Sequence, residues 1–171
     1  EAAALIRAGE LVAFPTETVY GLGADGLNRE AVAKIFQAKG RPGDNPLILH
    51  ISALDQIAPL IACELSPVAK KMADAFWPGP LTMIFPKSAR VPENVSAGLS
   101  TVAIRFPAHP DAQRLIAAAK TPIAAPSANR SGKPSPTTAN HVFEDLDGRI
   151  QLIIDGGECL VGVESTVVDM T

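Results

Sequence analysis

The sequence predicts an α/β domain with a mixed β-sheet flanked by helices, and three observations carry that prediction. Short apolar runs alternate along the chain with segments whose apolar residues recur at helical period. Some successive runs are joined by a helical segment and others by a loop alone, which mixes parallel with antiparallel pairing. The 15 prolines and 13 glycines cluster between the runs, where they punctuate turns. At 171 residues the chain reads as one domain, residues 1–171, large enough to bury about 70% of its unfolded surface without disulfides or a structural metal.

Glu1 to Ala8 reads as a helix closed by Gly9, and Leu11 to Phe14 as a buried strand. Asn28 caps a helix that runs to about Lys39, with Ala31, Val32, Ile35 and Phe36 on one face and Gly40 after it. Leu47 to Ile51 is a second strand. Ser52 and Ser66 open two further helices, the latter with Pro67 at the first helical position. Leu81 to Phe85 and Thr101 to Phe106 are strands, followed by an alanine-rich helix from Asp111 to Ala119. Ile123 to Ala125 is a short strand leading into a polar loop. Thr138 to Leu146 is a helix, and Ile150 to Ile154 and Ser165 to Val168 are the last strands. The polar, glycine- and proline-rich segments all fall at strand ends, where open α/β sheets bind ligands.

The composition, 47% hydrophobic and 19% charged, is that of a globular chain. A net charge of −3 argues against a broad non-specific nucleic-acid surface, so no stable direct nucleic-acid binding is expected. Cys63 and Cys159 stand far apart without a CxxC and read as small buried hydrophobes. No apolar stretch approaches the ~20 residues of a membrane span, which makes the cytoplasm the default location. The chain opens on Glu1 rather than Met, so a trimmed natural N-terminus is expected.

Gly21-Leu22-Gly23-Ala24-Asp25-Gly26 spells GxGxxG, the dinucleotide fingerprint. That fingerprint needs its first glycine directly after a strand and a helix starting inside it. Here Pro15 to Tyr20 intervene after Phe14, and the helix starts only near Asn28. Gly132-Lys133-Pro134 lacks the upstream glycine and the Ser or Thr of a Walker A loop. Lys39 and Arg41, at the end of a helix, either complement its dipole, worth about 0.3–1 kcal/mol, or serve a ligand. Residues 127–135, Ser-Ala-Asn-Arg-Ser-Gly-Lys-Pro-Ser, are either a solvated loop or a donor-rich cradle suited to phosphate oxygens. His50, His109 and His141 have no zinc-type spacing, and no protein ligand for a metal is predicted. His50 stands out because it ends a strand at the presumed ligand edge. No GxSxG or other nucleophile signature is present. Glu17 and Glu164 are candidate paired carboxylates that nothing in the sequence brings together.

Taken in order, PTETVYGLG (15–23), KGRPGDNPL (39–47), TVAIRFP (101–107), PSANRSGKPSPT (126–137) and GVESTVVD (162–169) resemble the YrdC-like family of threonylcarbamoyl-AMP synthases. The resemblance covers about Leu11 to Asp169, nearly the whole chain. It implies a twisted α/β fold around a central basic cavity. It also implies that L-threonine, bicarbonate and ATP, with Mg2+, give threonylcarbamoyl-AMP and pyrophosphate. Downstream tRNA threonylcarbamoyl-transferase proteins then modify an adenosine beside the anticodon.

Carried over by position, Thr18, His50, Arg105, Ala125 and Ser165 would hold threonine. Arg41, Asn45, Thr101, Ser127, Asn129 and Ser135 would hold ATP. Lys39 and Arg41 would stabilise charge on the reacting phosphoryl group, and Lys39 and Asn129 would line the phosphate or bicarbonate region. The family usually continues past ESTVVD, so a further C-terminal segment is expected. Two rival activities belong to proteins with the same motifs: a carbamoyl-adenylate-forming module and a double-stranded RNA-binding protein. His50, Arg105 and Ser165 favour the amino-acid-using version.

Overall fold

Sequential strand and helix signals resolve into one sheet in the computed structural model, which describes residues 1–40 and 42–171. The elements run α1 (Ala2–Arg7), β1 (Val12–Phe14), β2 (Gly21–Asp25), α2 (Arg29–Lys39), β3 (Ile48–His50), a 3-10 turn (Leu54–Gln56), α3 (Pro67–Phe76), β4 (Leu81–Pro86), α4 (Glu93–Ser96), β5 (Thr101–Arg105), α5 (Pro110–Ala119), β6 (Ile123–Ala125), α6 (Ala139–Leu146), β7 (Leu152–Ile153) and β8 (Thr166–Asp169). Among the described residues the sheet has eight strands in the order β7-β1-β2-β6-β3-β5-β4-β8. It is mixed, as expected: β1 with β7, β3 with β5 and β4 with β8 are parallel, and the other pairs are antiparallel.

Helix boundaries follow their caps. The Asn28 side chain accepts from the backbone N–H groups of Glu30 and Ala31, and α2 ends on Gly40 in the left-handed conformation. Ser66 caps α3 ahead of Pro67, and Thr138 caps α6. α5 begins one residue earlier than expected because the His109 ring nitrogen accepts from Asp111 N–H.

Alternation along the strands gives the sheet two faces. Ala13, Leu22, Ala24, Leu49, Met83, Ile104 and Ala124 face the larger core, with α2 and α3. Val12, Phe14, Ile123 and Ala125 face a smaller core closed by Ile6 of α1 and by Ala112, Leu115 and Ile116 of α5.

Three readings of the sequence are corrected. The glycine-rich stretch after the opening motif is a strand, β2, paired with β1 through Val12↔Gly23 and Phe14↔Gly21. Its glycines answer to packing: a Cβ on Gly23 would lie 2.8 Å from the Ile123 side chain and 2.9 Å from the Phe14 ring. The helix expected from Ser52 is only the 3-10 turn, because the Gln56 side chain takes the N–H groups of Ser52 and Ala53 at 2.7 and 3.2 Å. Cys159 is buried as expected, but Cys63 is exposed. No helix among the described residues is long and apolar enough to cross a membrane.

Candidate functional site

The register of five strands lays one row of residues across the sheet. Ile123 stands beside His50, His50 beside Arg105, Arg105 beside Thr82, and Thr82 beside Val167. His50 and Ile48, two residues apart on β3, project from the same face, the one that carries Phe14 and Ala125. A pocket opens there, beside the part of that face covered by α1 and α5. It is lined by Thr16, Thr18, Val19, Tyr20 and Gly21 of the opening motif, by Ile48, His50 and Arg105, by Ala125, Pro126 and Ser127, and by Glu164 and Ser165. All five residues expected to hold threonine are in it.

Arg105 is the pocket's buried cation, 4% exposed. Its Nη2 pairs with Glu17 Oε1 at 2.6 Å, Nη1 donates to Thr18 Oγ1 at 2.9 Å, and Nε donates to the Gly79 carbonyl at 3.3 Å. The other Glu17 oxygen accepts from Ala108 N–H at 3.0 Å. Thr16 Oγ1 lies 2.9 Å from Thr18 Oγ1 and donates to the Val19 carbonyl at 2.6 Å, folding the opening motif into a tight polar turn. The basic cavity expected from the resemblance is therefore realised here as an arginine sharing its charge with a carboxylate.

His50 is buried, with its ring edge-on to Phe14 at 5.9 Å between centroids. Burial, then the positive charge of Arg105, push its pKa down from 6.5 to about 3, against opposing pulls from the backbone of Ile123 and Ile48. The ring is a neutral imidazole whose Nδ1–H faces the Ile48 carbonyl at 3.2 Å. Ser165 reaches the pocket from the turn before β8, its hydroxyl 2.7 Å from that of buried Thr82.

Residues 155–165 strap the opening motif in place. The Tyr20 hydroxyl donates to the Gly157 carbonyl at 2.7 Å and accepts from Gly156 N–H at 3.1 Å. Val161 N–H and Gly162 N–H donate to the carbonyls of Glu17 and Thr18. This clamp carries Glu164 and Ser165 to the pocket wall, and Glu164 accepts from the Ser135 hydroxyl. The two hydrogen bonds of its hydroxyl make Tyr20 the residue that ties the strap to the opening motif.

The expected nucleotide residues are distributed differently. Ser127 lines the pocket. Lys39 is buried at the end of α2, with Nζ donating to the carbonyl oxygens of Ser127 and of Asn129, the latter at 2.7 Å. The Asn129 amide donates to the carbonyls of Arg130 and Lys133, at 3.0 and 2.7 Å, and so closes the 129–133 loop. Thr101 shares the Arg105 face of β5 but stands four residues away, roughly 13 Å at about 3.3 Å per residue, and does not line this pocket. Asn45 is exposed in the loop that enters β3, and the Ile48↔Ala103 register places it at the Thr101 end of the sheet. Arg41 lies outside the described residues.

Sequence reasoning left Glu17 and Glu164 unconnected, and it missed Thr16 and Thr82. Glu17 reaches Arg105 across 88 positions, so no local spacing announces the pair. Its one visible signal is a carboxylate between two threonines straight after a buried strand. Chemically, the wall offers a guanidinium, a carboxylate, a neutral imidazole and hydroxyls that include those of Thr18 and Ser165, beside apolar Val19, Ile48 and Ala125. That set fits a small carboxylate-bearing molecule with its own hydroxyl and methyl groups.

Comparison with known proteins identifies the family and the fold. The Sua5/yciO/yrdC family profile, described as "Telomere recombination", matches residues 4–171. A threonylcarbamoyl-AMP synthase of Pyrococcus abyssi is 59% identical over 99% of this chain and 50% of its own length. One from Bacillus subtilis is 58% identical over 98% of this chain and 49% of its own. The solved structure of P. abyssi Sua5 complexed with L-threonine superposes with a TM-score of 0.97, at 59% identity, over 99% of this chain and 49% of that one. The chain thus spans about half the length of these relatives.

Proposed function

The chain belongs to the Sua5/yciO/yrdC family, and from that premise we propose that it forms threonylcarbamoyl-AMP from L-threonine, bicarbonate and ATP, releasing pyrophosphate. The observation that carries the reading is the convergence of Thr18, His50, Arg105, Ala125 and Ser165 on one pocket. In this reading residues 1–171 act as one synthase domain in the cytoplasm, upstream of proteins that transfer the threonylcarbamoyl group to tRNA.

The chemistry asks the protein for positioning rather than for a nucleophile. The threonine amine adds to bicarbonate with loss of water, giving a carbamate. A carbamate oxygen then attacks the α-phosphorus, forming the new P–O bond as the bond to the departing pyrophosphate breaks. Arg105 suits the amino-acid carboxylate, with two guanidinium nitrogens facing Thr18 and Glu17. The Thr18 and Ser165 hydroxyls and the His50 ring suit the polar groups of threonine, while Val19 and Ile48 suit its methyl. His50, held neutral, contributes no charge at the operating pH.

In this reading Asn45 and Thr101, at the other end of β3 and β5, serve the nucleotide. Ser127 and Ser135 offer hydroxyls to it, Asn129 shapes its loop, and Lys39, with Arg41 by the resemblance, answers charge on the phosphoryl oxygens. Magnesium would enter on the triphosphate and supply charge neutralisation there. The oxygen donors at the rim, Glu164 and Ser135, suit such a complex and form no cage of their own.

The test is pyrophosphate release from magnesium–ATP with threonine and bicarbonate omitted in turn. We expect release to require both, with a product of threonylcarbamoyl-AMP mass. Release that ignores threonine would replace this reading with carbamoyl-adenylate formation. Salt-sensitive RNA binding without nucleotide chemistry would replace it with a nucleic-acid role.

A further inference from the structure

Glu17 sits behind the pocket wall rather than on it, and the residues it holds explain why. A buried arginine facing a cavity is a natural receptor for phosphate, since its planar fork matches two anionic oxygens. In an enzyme that handles a triphosphate and pyrophosphate beside an amino-acid pocket, such an arginine would also collect the wrong substrate. Here its Nη2 carries a carboxylate at 2.6 Å, enclosed with it. The pocket's other charged lining residue is Glu164, and His50 is neutral. Among the described residues that line the pocket or pair with its lining, Arg105 and Lys39, which donates to the Ser127 carbonyl, are thus balanced by the carboxylates of Glu17 and Glu164.

We propose that Glu17 is a specificity-determining residue, one that tunes Arg105 to accept the single carboxylate of a zwitterionic amino acid and to refuse dianionic phosphate-like groups. The inference rests on the amino-acid reading of the pocket given above. A zwitterion brings its own counter-charge, with its carboxylate to Arg105 and its ammonium in the field of Glu164. A dianion would surrender its hydration to a site with no net positive charge to replace it. The residue type follows from the donors it serves. Arg105 Nη2–H and Ala108 N–H each meet a different terminal oxygen of Glu17, and an amide would put a donor at one of those two positions.

The experiment is calorimetric titration of L-threonine into the chain, with sodium acetate or sodium sulfate as competitor at matched ionic strength. Wild type should lose threonine binding to acetate and keep it against sulfate. Glu17→Gln should shift the sulfate-to-acetate ratio toward sulfate by roughly ten-fold or more, the scale of one neighbouring charge on a buried group. Glu17→Asp, which keeps the charge, should preserve the wild-type order. A pocket merely loosened by the substitution would weaken against both anions and leave their ratio unchanged, which would overturn the proposal. Sulfate competing as well as acetate in wild type would also overturn it, and that arm decides even if Glu17→Gln does not fold. Absence of threonine binding by wild type would instead strike the amino-acid reading itself.

Discussion

Protonating His50 in the folded chain means placing a charge in an enclosed site beside Arg105, and the cost is readable as acid sensitivity. The ordinary imidazole pKa of 6.5 is lowered to about 3 here, with burial as the first cause and the Arg105 charge as the second. The unfolded chain therefore binds this proton more readily than the folded one. The stability tied to the neutral ring is fully present above pH 6.5 and is lost as pH falls toward 3. At about 1.4 kcal/mol per pH unit, the whole shift is on the order of 5 kcal/mol, of which about 2 kcal/mol disappears between pH 7 and pH 5. The assay is urea unfolding at pH 7, 6 and 5 for wild type and for His50→Gln, which has no group titrating at that position. Other titrating groups contribute to both curves, so the difference in slope isolates His50. We expect wild type to lose about 2 kcal/mol more than the variant over that interval. Parallel curves would refute the reasoning, because they would mean that the folded chain accommodates the imidazolium without penalty.

Three further outcomes follow from contacts already described. Gly26→Ala would place a Cβ 2.6 Å from Leu49 Cδ2 and 2.8 Å from the Pro122 carbonyl, so it should cost about 1–3 kcal/mol in thermal unfolding. An unchanged melting temperature would show that β2 and the turn before β6 separate freely. Lys39→Met removes the donor to the Ser127 and Asn129 carbonyls and should destabilise by about 2–4 kcal/mol while also lowering pyrophosphate release. Lost turnover with a wild-type melting temperature would put the role of Lys39 wholly in the chemistry. Tyr20→Phe deletes the hydroxyl that pins Gly156 and Gly157, and should raise amide exchange in residues 155–165 ahead of the sheet. Uniform exchange in that segment and the sheet would show that the backbone bonds of Val161 and Gly162 hold the strap alone.

What was legible in the sequence separates by the range of the interaction that decides it. Caps act within one turn, so Asn28, Ser66 and Thr138 announced their helices, and Gly40 announced the end of α2. β2 escaped because two of its five residues are glycines: Gly21 and Gly23 leave room for the Phe14 ring, and that ring is placed by pairing with β1, not by anything local. The four-residue α4 escaped because a single turn has too few residues to show a period. The threonine set was legible only through motif resemblance, and the strand register then gave it a physical reason. His50 and Arg105 are 55 positions apart in the sequence yet stand side by side because β3 and β5 run parallel with those residues at their ends. The same register separates Thr101 from Arg105 along one strand, so under the proposed function one end of β5 serves the amino acid and the other the nucleotide. Glu17 lay beyond the reach of the sequence because its role exists only relative to Arg105. Nothing near residue 17 shows that a cation will be buried against it, and a carboxylate in a polar turn is ordinarily satisfied by water. Folding turns that unremarkable residue into the one that fixes how much charge the pocket presents.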